Sequence, residues 1–411
     1  NRRWGSLKNW RPFRSVNRYA STQARVSGMA TRKPVSLLKG EENIAETWPD
    51  EPTRFTEDSI DPYLLWCVKK GASDITFQSD RQAYNDISGV LYPGTMRALD
   101  AADMNIILNK IYGAEAQARL ASGDDLDISY EVRPDRYTRI RFRVNITAIL
   151  SKGRDAAQVT MRVLPNEPPT LKDLNIESDI IRNFSPRQGM VIITGPTGSG
   201  KSTLLAAGNR MLLERRGGCG KMLTYEAPIE FTYDTIKSPR SLVAQTEIPR
   251  HLDSFASGVR NALRRKPNII LVGESRDKET ISATIEAAQT GHAVYTTAHT
   301  TGVSATVRRM ISIFEPGERE ERAFALMETL RLIVTQVLVP KKGGGRMGVR
   351  EWMRFPDEVR EKFLDMEFDK WSVEIQRTIP KYGQTMQQSA TEAFEAGMIE
   401  RRSYLMLTAG S

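Results

Sequence analysis

Residues Gly195-Pro196-Thr197-Gly198-Ser199-Gly200-Lys201-Ser202 set glycines, a lysine and a hydroxyl in the spacing G-x4-G-K-S. A strand-sized apolar run, 190–194, comes directly before them, and a helical stretch, 203–214, directly after. A loop that turns its N–H groups onto phosphate oxygens has to leave a buried strand and enter a helix N-terminus. The surrounding chain is therefore expected to be α/β. Gly195, Pro196, Thr197, Gly198, Ser199, Gly200, Lys201, Ser202 and Thr203 are the expected nucleotide-binding residues. Among them Lys201 would reach the β- and γ-phosphates, and Ser202 would ligate Mg²⁺.

The neighbouring pattern agrees. Apolar runs at 190–194, 221–224, 269–272 and 293–297 alternate with helical periodicity, which predicts a largely parallel sheet. Beyond Glu318 the pattern is mainly helical. A hairpin of 334–339 and 347–351 interrupts it, turning at Pro340-Lys341-Lys342-Gly343-Gly344-Gly345. The N-terminal half reads differently, as mixed α+β. Helices are expected at 59–70, with Ser59 as cap, and at 101–112; strands are expected at 74–78, 127–133, 137–149 and 158–164. Three prolines in 165–169 predict a stiff connector. The expected domains are thus 51–164 and 176–411, joined by a linker at 165–175.

Two acidic motifs follow expected strands. The run 269–272 ends in Gly273-Glu274, and a carboxylate placed there next to a phosphate loop orients Mg²⁺ or its water. Tyr225-Glu226-Ala227-Pro228-Ile229-Glu230 adds Glu226 and Glu230, two candidates for polarising the attacking water. Only three histidines occur, and His292 and His299 flank one strand. Without further His or Cys they make no metal site, and both are expected to sense the γ-phosphate. In 137–145, Arg139, Arg141 and Arg143 alternate onto one face, suited either to phosphate or to solvent.

This ordered set resembles the Walker A, Asp, Walker B and His boxes of the type II/IV secretion ATPase family. Within it, the chain is most similar to the pilus-retraction branch and to Dot/Icm secretion and conjugal-transfer members. Ala72-Ser73-Asp74-Ile75-Thr76 and Glu247-Ile248-Pro249-Arg250-His251-Leu252 carry that part of the likeness. The resemblance spans about 55–408. It implies a PAS-like α+β N-terminal domain followed by a RecA-like P-loop ATPase domain with a helical C-terminal part. It also implies a homohexamer in which Arg141 and Arg143 reach a neighbour's nucleotide, with ATP as substrate and Mg²⁺ as cofactor. The implied work is macromolecular transport through a Dot/Icm-like type IV secretion or conjugal-transfer apparatus, or alternatively retraction of a type IV pilus. The implied place is the cytoplasmic face of the inner membrane, held through partner components. Ala227 stands where the family has Asp, Thr76 where it has His, and the zinc-binding cysteine pairs of assembly ATPases are absent.

Composition narrows the rest. Hydrophobic residues are 40% and charged residues 27%, an ordinary soluble mixture, and no apolar run nears the ~18 residues of a membrane helix. Cys67 and Cys219 are too few for a disulfide framework. The net charge of +9 suggests a nucleic-acid partner at first sight. Nine basic residues and no acid lie within 1–33, however, so the remainder is formally neutral. Sequence-specific nucleic-acid binding and DNA translocation thus lose their simplest electrostatic support. Glu226, Glu230 and Glu274 favour turnover over a purely regulatory nucleotide binder. The basic leader, 1–50, is expected to be disordered; it reads as a transit peptide, a basic arm, or sequence upstream of a start at Met29.

Overall fold

The computed structural model describes residues 46–136 and 138–409, so the expectations for 1–45 lie outside it. The chain divides into two compact units, and the break falls between Asn166 and Glu167.

The first unit contains α1 (Glu57–Lys69), β1 (Asp74–Gln78), β2 (Tyr84–Ile87), β3 (Val90–Pro93), α2 (Ala101–Ile111), α3 (Ala116–Ala121), β4 (Leu126–Val132), β5 (Ile140–Ser151) and β6 (Arg154–Leu164). Its strands form one antiparallel sheet, ordered β3-β2-β1-β6-β5-β4. Alternate residues Phe142, Val144 and Ile146 of β5 share a core with Ile60, Tyr63 and Leu64 of α1 and with Ile107 and Leu108 of α2. Helix α1 starts two residues earlier than expected. Thr56 takes the cap position, and Ser59 sits inside the first turn, where its hydroxyl accepts from the Thr56 N–H at 2.8 Å. The hairpin β2–β3 is not anticipated by the sequence reading. Its strands are short and half exposed, and its turn is made by Ser88 and Gly89, both at positive φ.

The second unit contains α4 (Ser178–Asn183), β7 (Gly189–Thr194), α5 (Lys201–Glu214), β8 (Gly220–Glu226), β9 (Ser241–Glu247), α6 (Phe255–Leu263), β10 (Ile269–Val272), α7 (Lys278–Gln289), β11 (Ala293–Ala298), α8 (Val303–Ser312), α9 (Arg319–Thr329), β12 (Leu330–Pro340), β13 (Arg346–Arg354), α10 (Asp357–Leu364), α11 (Trp371–Tyr382), β14 (Gly383–Gln384), α12 (Met386–Glu395) and α13 (Arg401–Thr408). The sheet order is β14-β13-β12-β7-β11-β10-β8-β9. From β12 to β9 all neighbours are parallel; β13 and β14 extend the sheet antiparallel. Strands β7 and β11 are buried at every position, as a parallel sheet covered on both faces requires. Met190 and Ile192 enter the core that holds α7, α8 and α9 residues; Val191 and Ile193 enter the one that holds Ile180 and Leu204. The C-terminal ends of all the parallel strands therefore lie on one edge.

Gly208 of α5 shows how closely that second face is packed. A Cβ there would lie 2.1 Å from the Phe184 ring, which itself packs on Tyr295. Gly208→Ala should therefore cost about 1–3 kcal/mol through overpacking. Thermal unfolding followed by circular dichroism should show the midpoint falling by roughly 5 °C. An unchanged midpoint would mean that Phe184 yields freely.

Candidate active site

The loop after β7 is shaped by two glycines that tolerate no side chain. Gly195 has φ +142°, and a Cβ there would meet the Gln336 carbonyl at 2.2 Å; Gly200, at φ +80°, immediately precedes α5. Lys201, the first residue of α5, is only 8% exposed, and its Nζ donates to the carbonyls of Gly195 (2.9 Å) and Pro196 (3.1 Å). Burial lowers the Lys201 pKa, while the carboxylates of Glu274 and Glu230 act to raise it. The Ser199 hydroxyl is buried without a hydrogen-bond partner, Ser202 is exposed at the helix start, and Thr203 is half-buried. A glycine cradle, a buried ammonium and an orphaned hydroxyl fit a polyphosphate.

Neighbouring strands deliver the other groups to the same edge. Glu274 follows β10; its Oε1 lies 2.9 Å from Arg276 Nη2, and its Oε2 lies 3.6 Å from His299 Nε2. His299 follows β11, with Nδ1 3.5 Å from Lys201 Nζ. Since Nδ1 faces a donor, the neutral ring carries its proton on Nε2, toward Glu274.

His292 requires a correction. It stands at the opposite end of β11, six strand residues or ~20 Å away. There its ring nitrogen lies 3.0 Å from the Ala287 carbonyl, and its own carbonyl accepts from Gly189 N–H at the start of β7. Parallel pairing of β7 and β11 puts the two histidines on opposite edges of the sheet, so only His299 reaches the loop.

The acidic segment after β8 is held by β9, a strand the sequence reading does not include. Glu226 Oε1 accepts from Thr224 Oγ1 (2.6 Å) and Gln245 Nε2 (3.1 Å); Gln245 also donates to the Phe231 carbonyl (2.9 Å). Glu247, 1% exposed, accepts the Ile229 N–H at 3.1 Å. One oxygen of Glu226 is thus engaged in shaping the loop, and the carboxylate of Glu230 acts on Lys201. Strand β9 and its two polar anchors read as solvated surface because the strand's apolar run is only Leu242-Val243-Ala244 and the rest, Gln245-Thr246-Glu247, is polar.

Within the first unit, Arg139 and Arg141 lie 3.5 and 3.9 Å from Glu131, and Arg143 lies 2.6 Å from Asp127. The expected uniform arginine face is therefore an ion-paired one. Arg141 is 3% exposed, whereas the Arg143 side chain is 40% exposed. Arg141 sits opposite Glu131 in the β4–β5 register and is covered there.

Residues 51–362 match the family model described as type II/IV secretion system protein. The chain belongs to this family. It is similar to the crystal structure of the Legionella pneumophila ATPase DotB, with 46% identity, a TM-score of 0.85, and coverage of 88% of this chain and 98% of that one. It is also similar to the structure of the pilus retraction motor PilT with bound ADP, at 28% identity and a TM-score of 0.72, covering 85% and 96%. Among curated proteins, it is 34% identical to the type IV pilus retraction ATPase PilT of Pseudomonas aeruginosa, over 72% of this chain and 82% of that protein. It is 37% identical to a twitching motility protein of Neisseria gonorrhoeae, over 67% and 70%. The α+β N-terminal domain followed by a RecA-like ATPase domain is thus the architecture of this secretion ATPase family member. Among the described residues no helix is long and apolar enough to cross a membrane.

The His299 pKa is held below the usual histidine value by burial and by Lys201, with Glu274 opposing and Arg276 adding to the depression. The ring is therefore neutral at pH 7. With only three histidines to resolve, an NMR titration should place His299 below ~6.5. Lys201→Ala should raise that midpoint and Glu274→Gln should lower it further. Shifts of the opposite sign would refute the contact chain.

Proposed function

We propose that this family member is a mechanochemical motor that hydrolyses ATP at the Lys201 loop. The convergence of Lys201, Glu230, Glu274 and His299 on one sheet edge carries the reading. The loop N–H groups and Lys201 bind the phosphates, with Lys201 exchanging loop carbonyls for phosphate oxygens. Glu230 and Glu274 orient the attacking water and take its proton, and Glu226 holds the loop that presents Glu230. His299, neutral and in contact with both Lys201 and Glu274, reports the γ-phosphate. Ser202 and Glu274 would hold Mg²⁺, which would supply neutralisation of phosphate charge.

The work done is transport of macromolecules through a type IV secretion or conjugal-transfer apparatus, a reading supported by the likeness to DotB. Retraction of a type IV pilus is supported about equally by the retraction and twitching-motility relatives. Assembly is as a homohexamer, stationed on the cytoplasmic face of the inner membrane by partner components. In that ring Arg143, the more accessible of the pair, reaches the neighbour's nucleotide, and Arg141 supports it.

Phosphate release tests the chemistry. Lys201→Ala should abolish turnover, and Glu274→Gln should retain nucleotide while slowing hydrolysis ~100-fold or more. Wild-type turnover in Lys201→Ala would end the assignment.

The ring is tested by mixing. An arginine acting in trans is worth ~10³ or more in phosphoryl transfer. Arg143→Ala subunits, with an intact loop, should regain activity when co-assembled with Lys201→Ala subunits, which supply the arginine. Absence of rescue in assemblies confirmed by light scattering would confine Arg143 to its own subunit.

A further inference from the structure

In a trans peptide the C=O and N–H point to opposite sides of the plane. The Ser199 carbonyl accepts from Gln336 Nε2 of β12 at 2.7 Å. The N–H of the same peptide, that of Gly200, consequently points away from β12 and into the loop. The other end of the Gln336 amide is fixed as well: Oε1 accepts from Arg350 Nε of β13 at 2.8 Å, so the amide has one orientation only. Gln336 and Arg350 are cross-strand partners, and the approach is so close that a Cβ on Gly348 would lie 2.6 Å from Arg350 Nη2 and 2.9 Å from Gln336 Oε1.

Arg350 is 3% exposed and anchored at its far side. Nη1 lies 3.1 Å from Glu177 Oε2, and Nη2 donates to the Leu174 carbonyl at 3.2 Å. A buried guanidinium that lost Glu177 would be left as an uncompensated charge, so the pair is held together firmly. The line Ser199–Gln336–Arg350–Glu177 therefore runs without a break from the phosphate loop to residues 174–177.

We propose that Gln336, braced by Arg350 and Glu177, is a positioning residue for nucleotide binding that aims the Gly200 N–H at a phosphate oxygen. Nucleotide affinity and the packing of 174–177 are then linked, each strengthening the other. The proposal rests on the reading of the Lys201 loop as the nucleotide site.

Gln336→Glu is the discriminating variant, measured by titration with a fluorescent ATP analogue and by steady-state turnover. It keeps the size of the side chain and strengthens its hold on Arg350, but sets a carboxylate oxygen against the Ser199 carbonyl. The peptide should turn, and affinity should fall ~10-fold or more, the scale of one hydrogen bond to a charged group. Since ground and transition states share that contact, KM should rise while kcat changes little. The unfolding midpoint should stay near that of the parent protein. Gln336→Met, which fills the space without either polar end, should shift KM in the same direction and serves if Gln336→Glu does not fold. Parental KM in both variants, with binding lost in Lys201→Ala, overturns the positioning role and leaves the site standing. Parental binding in Lys201→Ala overturns both.

Discussion

A loop that turns its amides toward one anion must turn its carbonyls the other way, and each of those carbonyls needs a donor. In this chain the donors come from α5, from β12 and from the loop itself. Lys201, at the first position of α5, serves Gly195 and Pro196, and Pro196 also receives the Ser199 N–H. Gln336 of β12 serves Ser199, and the Leu204 N–H serves Gly200. The start of α5, the register of β12 against β7 and the three positive-φ glycines 195, 198 and 200 thus have to be right together. The buried 2.8 Å contact between the Thr194 and Thr335 hydroxyls fixes that register one residue before the loop begins.

Placing two carboxylates beside a lysine is a poor way to attract a polyanion. Glu230 and Glu274 offset the charge of Lys201, and Arg276 is drawn onto Glu274. Affinity must then rest on the backbone amides as well as on Lys201, and the orientation of the amides does not depend on a net positive field. The acids earn their place only if a water has to be oriented and deprotonated, which is why the site reads as one for turnover and not for storage.

The α/β core was legible because its strands are uninterrupted apolar runs, and a strand buried on both faces has to look like that. The phosphate loop was legible because its glycines and lysine are dictated by backbone geometry. Strand β9 was not, since Gln245 and Glu247 face the acidic loop and resemble solvated residues until their partners are known. His292 misled although its spacing already separates it from His299: a six-residue strand puts its flanking residues at opposite ends, and the parallel pairing with β7 brings only the His299 end to the phosphate loop. Gln336 and Arg350 did leave a trace. Each interrupts a strand with a polar side chain, seven residues either side of Gly343, which is the separation that makes them partners across the hairpin.

That hairpin supports the site from both sides of the sheet. Consecutive strand residues face opposite ways. On one face of β13, Arg350 reaches Gln336 and so the phosphate loop. On the other, Glu351 accepts the Val303 N–H at 2.8 Å, capping α8 just after the segment that carries His299. Gly302, at φ +116°, leaves no room for more, since a Cβ there would lie 3.2 Å from Glu351 Oε1. Two adjacent charged residues, each paired and nearly buried, therefore fix the lysine loop and the histidine segment relative to one strand. Movement of either segment without the other requires breaking one of these buried contacts, so the 3.5 Å approach of Lys201 to His299 is a property of β13 as much as of the two residues that make it.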